Sequence, residues 1–223
     1  YSDYLRKDYA TQVISRMLEQ RLYERSQTAH PPYSSCSVYD GNFFIAKTKK
    51  AFTSNITCIE DSIEKGITTL FEEIERVCRF GFTETEYNRT RRSYLQYLEN
   101  RYNERNNLKN EELTNQYILH FLDNEPIPSI EYKYKILYEI AATTTANMLN
   151  DVIHQLITDN NKFIALFAPE KKDLKLPTEE AIRNILKEVK GKELTRYVDD
   201  YTNQSLIEDI PQGGKIISEV TDS

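Results

Sequence analysis

Apolar residues recur at every third or fourth position in several stretches of the chain, which is the spacing of one face of an α-helix. The clearest set is Ile63, Ile67, Leu70, Ile74 and Val77, which predicts a one-sided helix over about residues 61–80. Of the other predicted helices, the first ends near residue 25 and the last begins at Thr178. The remaining ones span residues 83–107, 110–122, 130–140 and 144–157.

Capping residues mark the ends of two of these helices. Asp61 with Glu64 has the spacing of a capping box, in which two side chains satisfy each other's backbone N–H groups. Thr83 with Glu86 repeats that spacing. Gly81 lies between the two helices, where the left-handed conformation that often ends a helix is easiest for glycine.

Strands are predicted between the first two helices and again late in the chain. Alternating or continuous apolar runs place them at residues 33–39, 43–47, 52–59 and 162–168. Asp40 and Gly41 form a hairpin turn signal, so the first three strands are predicted to form a meander. Segregated strands and helices indicate an α+β fold, with an antiparallel sheet covered on one face by helices.

The composition of the chain excludes several classes of protein. With 223 residues, 39% hydrophobic content and a mean hydropathy of −0.65, the chain suits a single core. A net charge of −6 argues against nucleic-acid binding, which needs clustered positive charge. No run approaches the roughly 18 apolar residues of a membrane span. The chain has no signal peptide and starts at Tyr1 without a methionine, so we expect it to be part of a longer protein.

Residues 1–192 are predicted to form one domain and residues 193–223 a linker. After Lys192 few apolar residues follow one another, and Pro211, Gly213 and Gly214 interrupt the chain. Such a segment is expected to lead towards the next half of a longer polypeptide.

The candidate metal ligands of this chain do not have the spacing of a metal site. The three histidines, His30, His120 and His154, have no second histidine at helical spacing, and the three cysteines form no C-x-x-C pair. We therefore predict no metal site and no cofactor here. The histidines are interpreted as packed or solvated residues, and Cys36, Cys58 and Cys78 as small hydrophobic residues.

Residues 17–45, MLEQRLYERSQTAHPPYSSCSVYDGNFFI, resemble the non-catalytic domain of the insulinase-like, or pitrilysin, zinc metallopeptidases. The resemblance continues from TKKAFTSNITCIEDSIEKG through GFTETEYNRTRRSYL to FIALFAPEK, and so covers most of the chain. In that family the inverted zinc motif His-x-x-Glu-His lies on a companion domain. No such motif occurs in this chain.

The resemblance implies that this chain encloses and binds peptide substrate, while a missing domain carries the zinc and the catalysis. Its partners would be the other domains of the same polypeptide and a peptide, and the full-length protein would be a zinc metalloendopeptidase. Bacterial members with this layout are often exported, which implies the cell envelope or periplasm. Two alternatives stay open: a catalytically inactive scaffold of the same fold, as in processing-peptidase-like subunits, and an unrelated helical protein.

The family's substrate-binding Arg and Tyr correspond best to Arg25 and Tyr33. Arg25 stands eight positions before Tyr33, one more than the usual spacing, and Pro32 replaces the usual glycine. A guanidinium and a phenol can both bind a peptide carbonyl or carboxylate. The alternative is an exposed arginine at a helix end and a tyrosine packed at the start of a strand.

Overall fold

The computed structural model describes residues 2–199. Most of these residues lie in seven α-helices, and the strands form one β-hairpin, which packs mainly against the first helix. Short 3-10 turns at Glu60–Ser62 and Arg105–Asn107 connect some of them. The elements in chain order are α1 (Ser2–Ser26), β1 (Tyr33–Phe43), β2 (Ala46–Cys58), α2 (Ile63–Phe80), α3 (Glu84–Asn103), α4 (Asn110–Asp123), α5 (Ile130–Thr143), α6 (Ala146–Leu156) and α7 (Glu179–Gly191). The predicted α+β class is confirmed.

The hairpin differs from the predicted meander. β1 and β2 pair as two long antiparallel strands, and Phe43 lies opposite Ala46 next to the turn. Asp40 and Gly41 are not a turn, because they pair with Phe52 and Ala51 inside the ladder. The turn signal was therefore wrong. A local preference for a turn was outweighed by the cross-strand pairs that continuous strands gain along their length.

Residues 162–168 were predicted to be a strand, and this prediction was wrong for the described part of the chain. The segment carries no regular secondary structure, and the sheet formed by residues 2–199 has only two strands. Phe163 and Phe167 of this segment are exposed and contact Phe43 and Phe44 at the tip of the hairpin. An apolar run can become a strand only where a partner edge is available.

Helix α1 is the centre of the core and covers one face of the hairpin. Its apolar stripe is almost fully buried and belongs to one cluster with residues of β1, α3, α5 and α6. The stripe comprises Leu5, Tyr9, Val13, Ile14, Met17, Leu18 and Leu22. A second, smaller cluster joins α2 to α7 through Ile63, Ile67, Ile185 and Val189. No helix in the described residues is long and apolar enough to cross a membrane.

The junction between α2 and α3 is fixed by the predicted local signals. Thr83 Oγ1 accepts from the Glu86 N–H at 3.3 Å, and Glu86 Oε2 accepts from the Thr83 N–H at 2.8 Å, which confirms this capping box. Gly81 has φ 69°, and a Cβ there would lie 2.5 Å from the side chain of Asn150. Only glycine therefore fits that position without strain.

The capping box predicted for Asp61 and Glu64 was wrong. Glu60–Ser62 forms a 3-10 turn, and α2 begins at Ile63 with Ser62 as an N-cap that makes no side-chain hydrogen bond. The extra turn tightens the chain before the helix and moves the helix start beyond Asp61.

Residues 193–199 have no regular secondary structure, lie against α1, α2 and α3, and are called the strap below. The predicted boundary at residue 192 falls at the end of α7, which closes at Gly191. The rest of the predicted linker, residues 200–223, lies outside the described residues. The linker assignment therefore stays a prediction.

Candidate peptide-binding surface

Arg25 lies in the last turn of α1 and is held by a buried carboxylate of α2. Its Nε and Nη2 donate to Glu73 Oε1 at 3.0 and 2.8 Å. The Arg25 side chain is 45% exposed, whereas that of Glu73 is 2% exposed. Burial lowers the pKa of Arg25, but the charge and hydrogen bonds of Glu73 outweigh that effect and raise the pKa overall. Arg25 thus stays charged at the surface with its orientation fixed.

Glu73 also binds Arg76, one helical turn further along α2. Arg76 Nε donates to Glu73 Oε1 at 3.3 Å, so one carboxylate oxygen accepts from both arginines. Arg76 Nη1 donates to the carbonyl oxygen of Thr195 in the strap. Glu73 Oε2 is buried and has no hydrogen-bond partner among the described residues. The position of Glu73 therefore sets the directions of two guanidinium groups.

Arg21 forms a separate, fully buried ion pair one turn before Arg25. Its Nε and Nη2 donate to the two carboxylate oxygens of Glu86 at 2.6 and 2.9 Å, and Nη2 also reaches the Gly81 carbonyl at 3.0 Å. Phe82 and Tyr197 lie over the guanidinium, with ring centroids 4.8 and 4.3 Å from Cζ. The pair ties α1 to the junction between α2 and α3.

Tyr33 opens β1 with its hydroxyl turned into the protein. The hydroxyl donates to the Leu22 carbonyl oxygen at 2.7 Å, near the end of α1, and the side chain is fully buried. Burial raises the pKa of the Tyr33 hydroxyl, and the nearby groups of Cys36 and Glu73 add to the rise. Tyr33 therefore holds the helix end to the strand.

The structure places Arg25 and Tyr33 near the same carboxylate, Glu73. Neither arrangement tests contact with a substrate, so both assignments stay predictions. The geometry supports the exposed guanidinium of Arg25 more directly than the enclosed hydroxyl of Tyr33.

Sequence reasoning missed the carboxylates that organise this surface. Glu73 occupies the buried stripe of α2 between Leu70 and Val77, and Arg21 continues the buried stripe of α1 after Leu18. Charged residues at stripe positions are costly to bury alone and so indicate buried partners. The sequence showed these charged residues on the apolar stripes, but it did not indicate which of them form ion pairs.

The described residues do not offer a zinc site. No group of three or more His, Cys, Asp or Glu side chains in residues 2–199 is arranged to hold a metal ion. His30, His120 and His154 are all exposed and lie on different elements. Zinc sites need about three or four converging ligands, and the residues present do not fit one.

Cys78 is expected to be the least reactive thiol of the chain. Burial raises its pKa from 9.0 to about 11, and the charge of Glu75 adds to the rise. At pH 8 the reactive thiolate fraction is then about one hundredfold smaller than for an unperturbed thiol. Alkylation by iodoacetamide, followed by peptide mass spectrometry, should show this lag in the folded chain. Equal rates for Cys78 in folded and unfolded protein would contradict it.

Comparisons with known proteins show what this chain is similar to. Residues 2–94 match the family described as Peptidase M16 inactive domain. Zinc protease PQQL-like from Arabidopsis thaliana is 24% identical over 208 residues, which cover 92% of this chain and 18% of that protein. The chain therefore spans under a fifth of the length of this relative.

Solved structures show that the fold is shared over nearly the whole chain. The periplasmic protease PqqL from Escherichia coli matches with a TM-score of 0.71 at 18% identity, over 94% of this chain and 23% of PqqL. The separate structure of the first half of PqqL matches with a TM-score of 0.70 at 17% identity, over 89% of this chain and 42% of that one. The resemblance to insulinase-like peptidases is confirmed by the match of residues 2–94 to the inactive domain of peptidase M16, and the solved structures show that the fold is shared.

Proposed function

We propose that this chain is the substrate-side part of a zinc protease, which binds and helps to enclose a peptide while the zinc is held outside these 223 residues. The observation that carries the proposal is Arg25, a surface guanidinium fixed by the buried carboxylate of Glu73. The other partners would be further domains of the same polypeptide.

Arg25 has the properties of a peptide contact. Glu73 accepts hydrogen bonds from Nε and Nη2 of Arg25, and Nη1 of Arg25 has no hydrogen-bond partner within residues 2–199. A planar guanidinium held in this way loses little side-chain entropy when it donates to a carbonyl or a carboxylate. The expected ligand is therefore a peptide that presents a main-chain carbonyl or a carboxylate to Nη1.

Exposed apolar surface supports a larger assembly. Phe44, Phe163 and Phe167 form one aromatic cluster at the hairpin tip, and Phe167 is 81% exposed. Helix α4 has no buried residue, although Phe121 and Leu122 lie on its surface. Contiguous apolar patches of this kind usually mark interaction surfaces. Other domains of the same polypeptide are the partners that we propose for them.

A location in the cell envelope or periplasm accompanies this proposal. The two matching Escherichia coli structures are of a periplasmic protease. Fractionation of cells that produce the complete gene product, followed by immunoblotting for this chain, is the corresponding measurement.

The proposed contact is tested in the complete gene product that contains this chain. Arg25→Ala should raise KM for a quenched peptide by roughly 10- to 100-fold with a smaller change in kcat, since a hydrogen bond to a charged group contributes about 1.5–3 kcal/mol. Glu73 keeps its bond to Arg76 in this variant, so its charge stays compensated. Arg183→Ala is the matched control, because Arg183 is 73% exposed and its ion pair among the described residues is with Glu179 of the same helix, α7.

Tyr33→Phe separates the two roles that Tyr33 could have. A lower stability with unchanged KM assigns the hydroxyl to the Leu22 carbonyl alone, whereas a raised KM adds a peptide contact. Unchanged KM for both Arg25→Ala and Tyr33→Phe removes this surface from the substrate site.

The same assay distinguishes the protease from a scaffold. Cleavage that is lost on chelation and restored by zinc supports the protease, because only metal-assisted hydrolysis requires the ion. A complete gene product that folds but cleaves no peptide with zinc present, and that binds its partner domains unchanged, is a scaffold of the same fold.

A further inference from the structure

We propose that the surface formed by Arg21, Glu24, Arg76 and Arg89 is a second peptide-binding site, and that the strap is its resident ligand. The strap, residues 193–199, lies across this surface without regular secondary structure and contacts it through Thr195, Tyr197 and Asp199. An external peptide of matching chemistry replaces the strap there. Peptide docking at this surface requires neither hydrolysis nor zinc.

A main-chain contact fixes the middle of the strap. Arg76 is buried, and its Nε is held by Glu73, so Nη1 has a set direction when it donates to the Thr195 carbonyl. A donor to a main-chain oxygen recognises the backbone and is indifferent to the side chain at that position. Thr195 itself is exposed.

Three side chains supply the specificity. Leu194 is buried, and Tyr197 places its ring 4.3 Å from Arg21 Cζ while its hydroxyl donates to Glu24 Oε2 at 2.7 Å. Asp199 binds Arg89 Nη1 at 2.6 Å. The surface therefore recognises the pattern Leu-x-x-Tyr-x-Asp.

The strap has the properties of a displaceable ligand. Residues 193–198 make no backbone–backbone hydrogen bond with any described residue, and Val198 is 70% exposed. Arg21 Nη1 is buried and has no hydrogen-bond partner within residues 2–199, and Tyr197 of the strap lies over its guanidinium. Water reaches that nitrogen when the strap lifts, which offsets part of the cost of exposing Leu194 and Tyr197. Local opening of this kind is expected where few buried contacts hold a segment.

Attachment to the same chain makes the strap a strong competitor. A tethered ligand acts at an effective concentration on the order of millimolar. An external peptide must therefore compete with it, and weakening the strap should uncover the site.

The test is a titration of a fluorescent peptide, ELTRYVD, which copies residues 193–199. It is added to the full 223-residue chain and to the variant Leu194→Ala/Tyr197→Ala. We expect at least about tenfold tighter binding to the variant, because its own strap competes poorly. The same peptide with alanine in place of its tyrosine should lose most of this affinity.

A second change locates the binding. Glu24→Gln, added to the strap variant, removes the charge that accepts the Tyr197 hydroxyl and should weaken peptide binding several-fold. Glu180→Gln is the matched control on the exposed first turn of α7. Equal peptide affinity for the parent chain and the strap variant overturns the proposal, as does affinity that ignores both Glu24→Gln and the tyrosine of the peptide.

Tyr197→Phe is the second variant if the double variant does not fold, since it removes only the strap hydroxyl that donates to Glu24. The fluorescent peptide should bind Tyr197→Phe at least about threefold more tightly than the parent chain, because the strap then competes less well. Equal peptide affinity for Tyr197→Phe and the parent chain makes the strap a permanent part of the fold and overturns the proposal.

Discussion

Glu86→Gln is expected to lower the free energy of unfolding by about 3–5 kcal/mol, because it leaves the charge of Arg21 buried without its counter-ion. Both side chains are at most 2% exposed, and the carboxylate accepts two bonds from Arg21 at 2.6 and 2.9 Å. An amide of the same shape can accept only one of them and must turn an N–H₂ towards the guanidinium.

The loss extends beyond the ion pair, because Glu86 is also the N3 residue of the α3 capping box. Its Oε2 accepts from the Thr83 N–H at 2.8 Å and from Thr83 Oγ1 at 2.9 Å. The Glu86 carboxylate therefore caps the start of α3 and also anchors α1 to the junction between α2 and α3. A substitution at Glu86 should unfold the junction and the helix contact together.

Urea denaturation followed by circular dichroism measures the effect, and a surface pair provides the control. Glu179→Gln breaks the exposed pair with Arg183 and should change stability by less than about 0.5 kcal/mol. Arg21→Met combined with Glu86→Leu should recover at least about half of the loss, since apolar pairs often replace a buried ion pair at little cost. A loss below about 1 kcal/mol for Glu86→Gln would show that water reaches Arg21.

Local sequence signals predicted the structure correctly where the interacting residues are close together in the chain. Thr83 and Glu86 are three residues apart, and Gly81 satisfies a conformation that only its own backbone requires. The helix boundaries followed from apolar spacing for the same reason. The hairpin turn was misplaced because the pairing of Asp40 with Phe52 depends on strands that extend beyond any short window.

The candidate surface could be predicted only in part from the sequence, because the residues of its ion pairs are far apart in the chain. Arg25 and Glu73 are 48 positions apart, and Arg21 and Glu86 are 65 apart. A charge on an apolar stripe can be recognised from spacing, but its partner is chosen by how the helices pack. The family resemblance pointed to Arg25, whereas the carboxylate that orients it and the strap beside it emerged only from the fold.

Tyr9→Ala is expected to cost about 3–5 kcal/mol, the range for removing a large aromatic side chain from a core. Tyr9 is fully buried in α1, and its ring meets that of Tyr94 edge to face with centroids 5.1 Å apart. Its hydroxyl lies 3.1 Å from that of Tyr87, which donates to the Ala141 carbonyl at 3.2 Å. Tyr9 therefore donates to Tyr87, and this chain of hydroxyls joins α1, α3 and α5.

Tyr9→Phe isolates the hydroxyl, and Tyr23→Ala controls for the helix. Loss of the single hydrogen bond should cost about 1 kcal/mol. Tyr23 lies on the same helix but is half exposed, so its removal should change stability by no more than about 0.5 kcal/mol. Equal losses for Tyr9→Ala and Tyr23→Ala would contradict the central place of α1 in the core.

The pH dependence of stability provides an independent check on Tyr9. Burial raises the pKa of its hydroxyl above the ordinary value of 10.0, and the hydrogen bond to Tyr87 adds to the rise. The folded state therefore favours the protonated phenol, so this contribution is complete below pH 10 and is lost as the pH rises above it. Denaturation midpoints should fall less steeply above pH 10 in Tyr9→Phe than in the parent chain. Burial also raises the pKa of Tyr94, so part of the alkaline loss should persist in the variant.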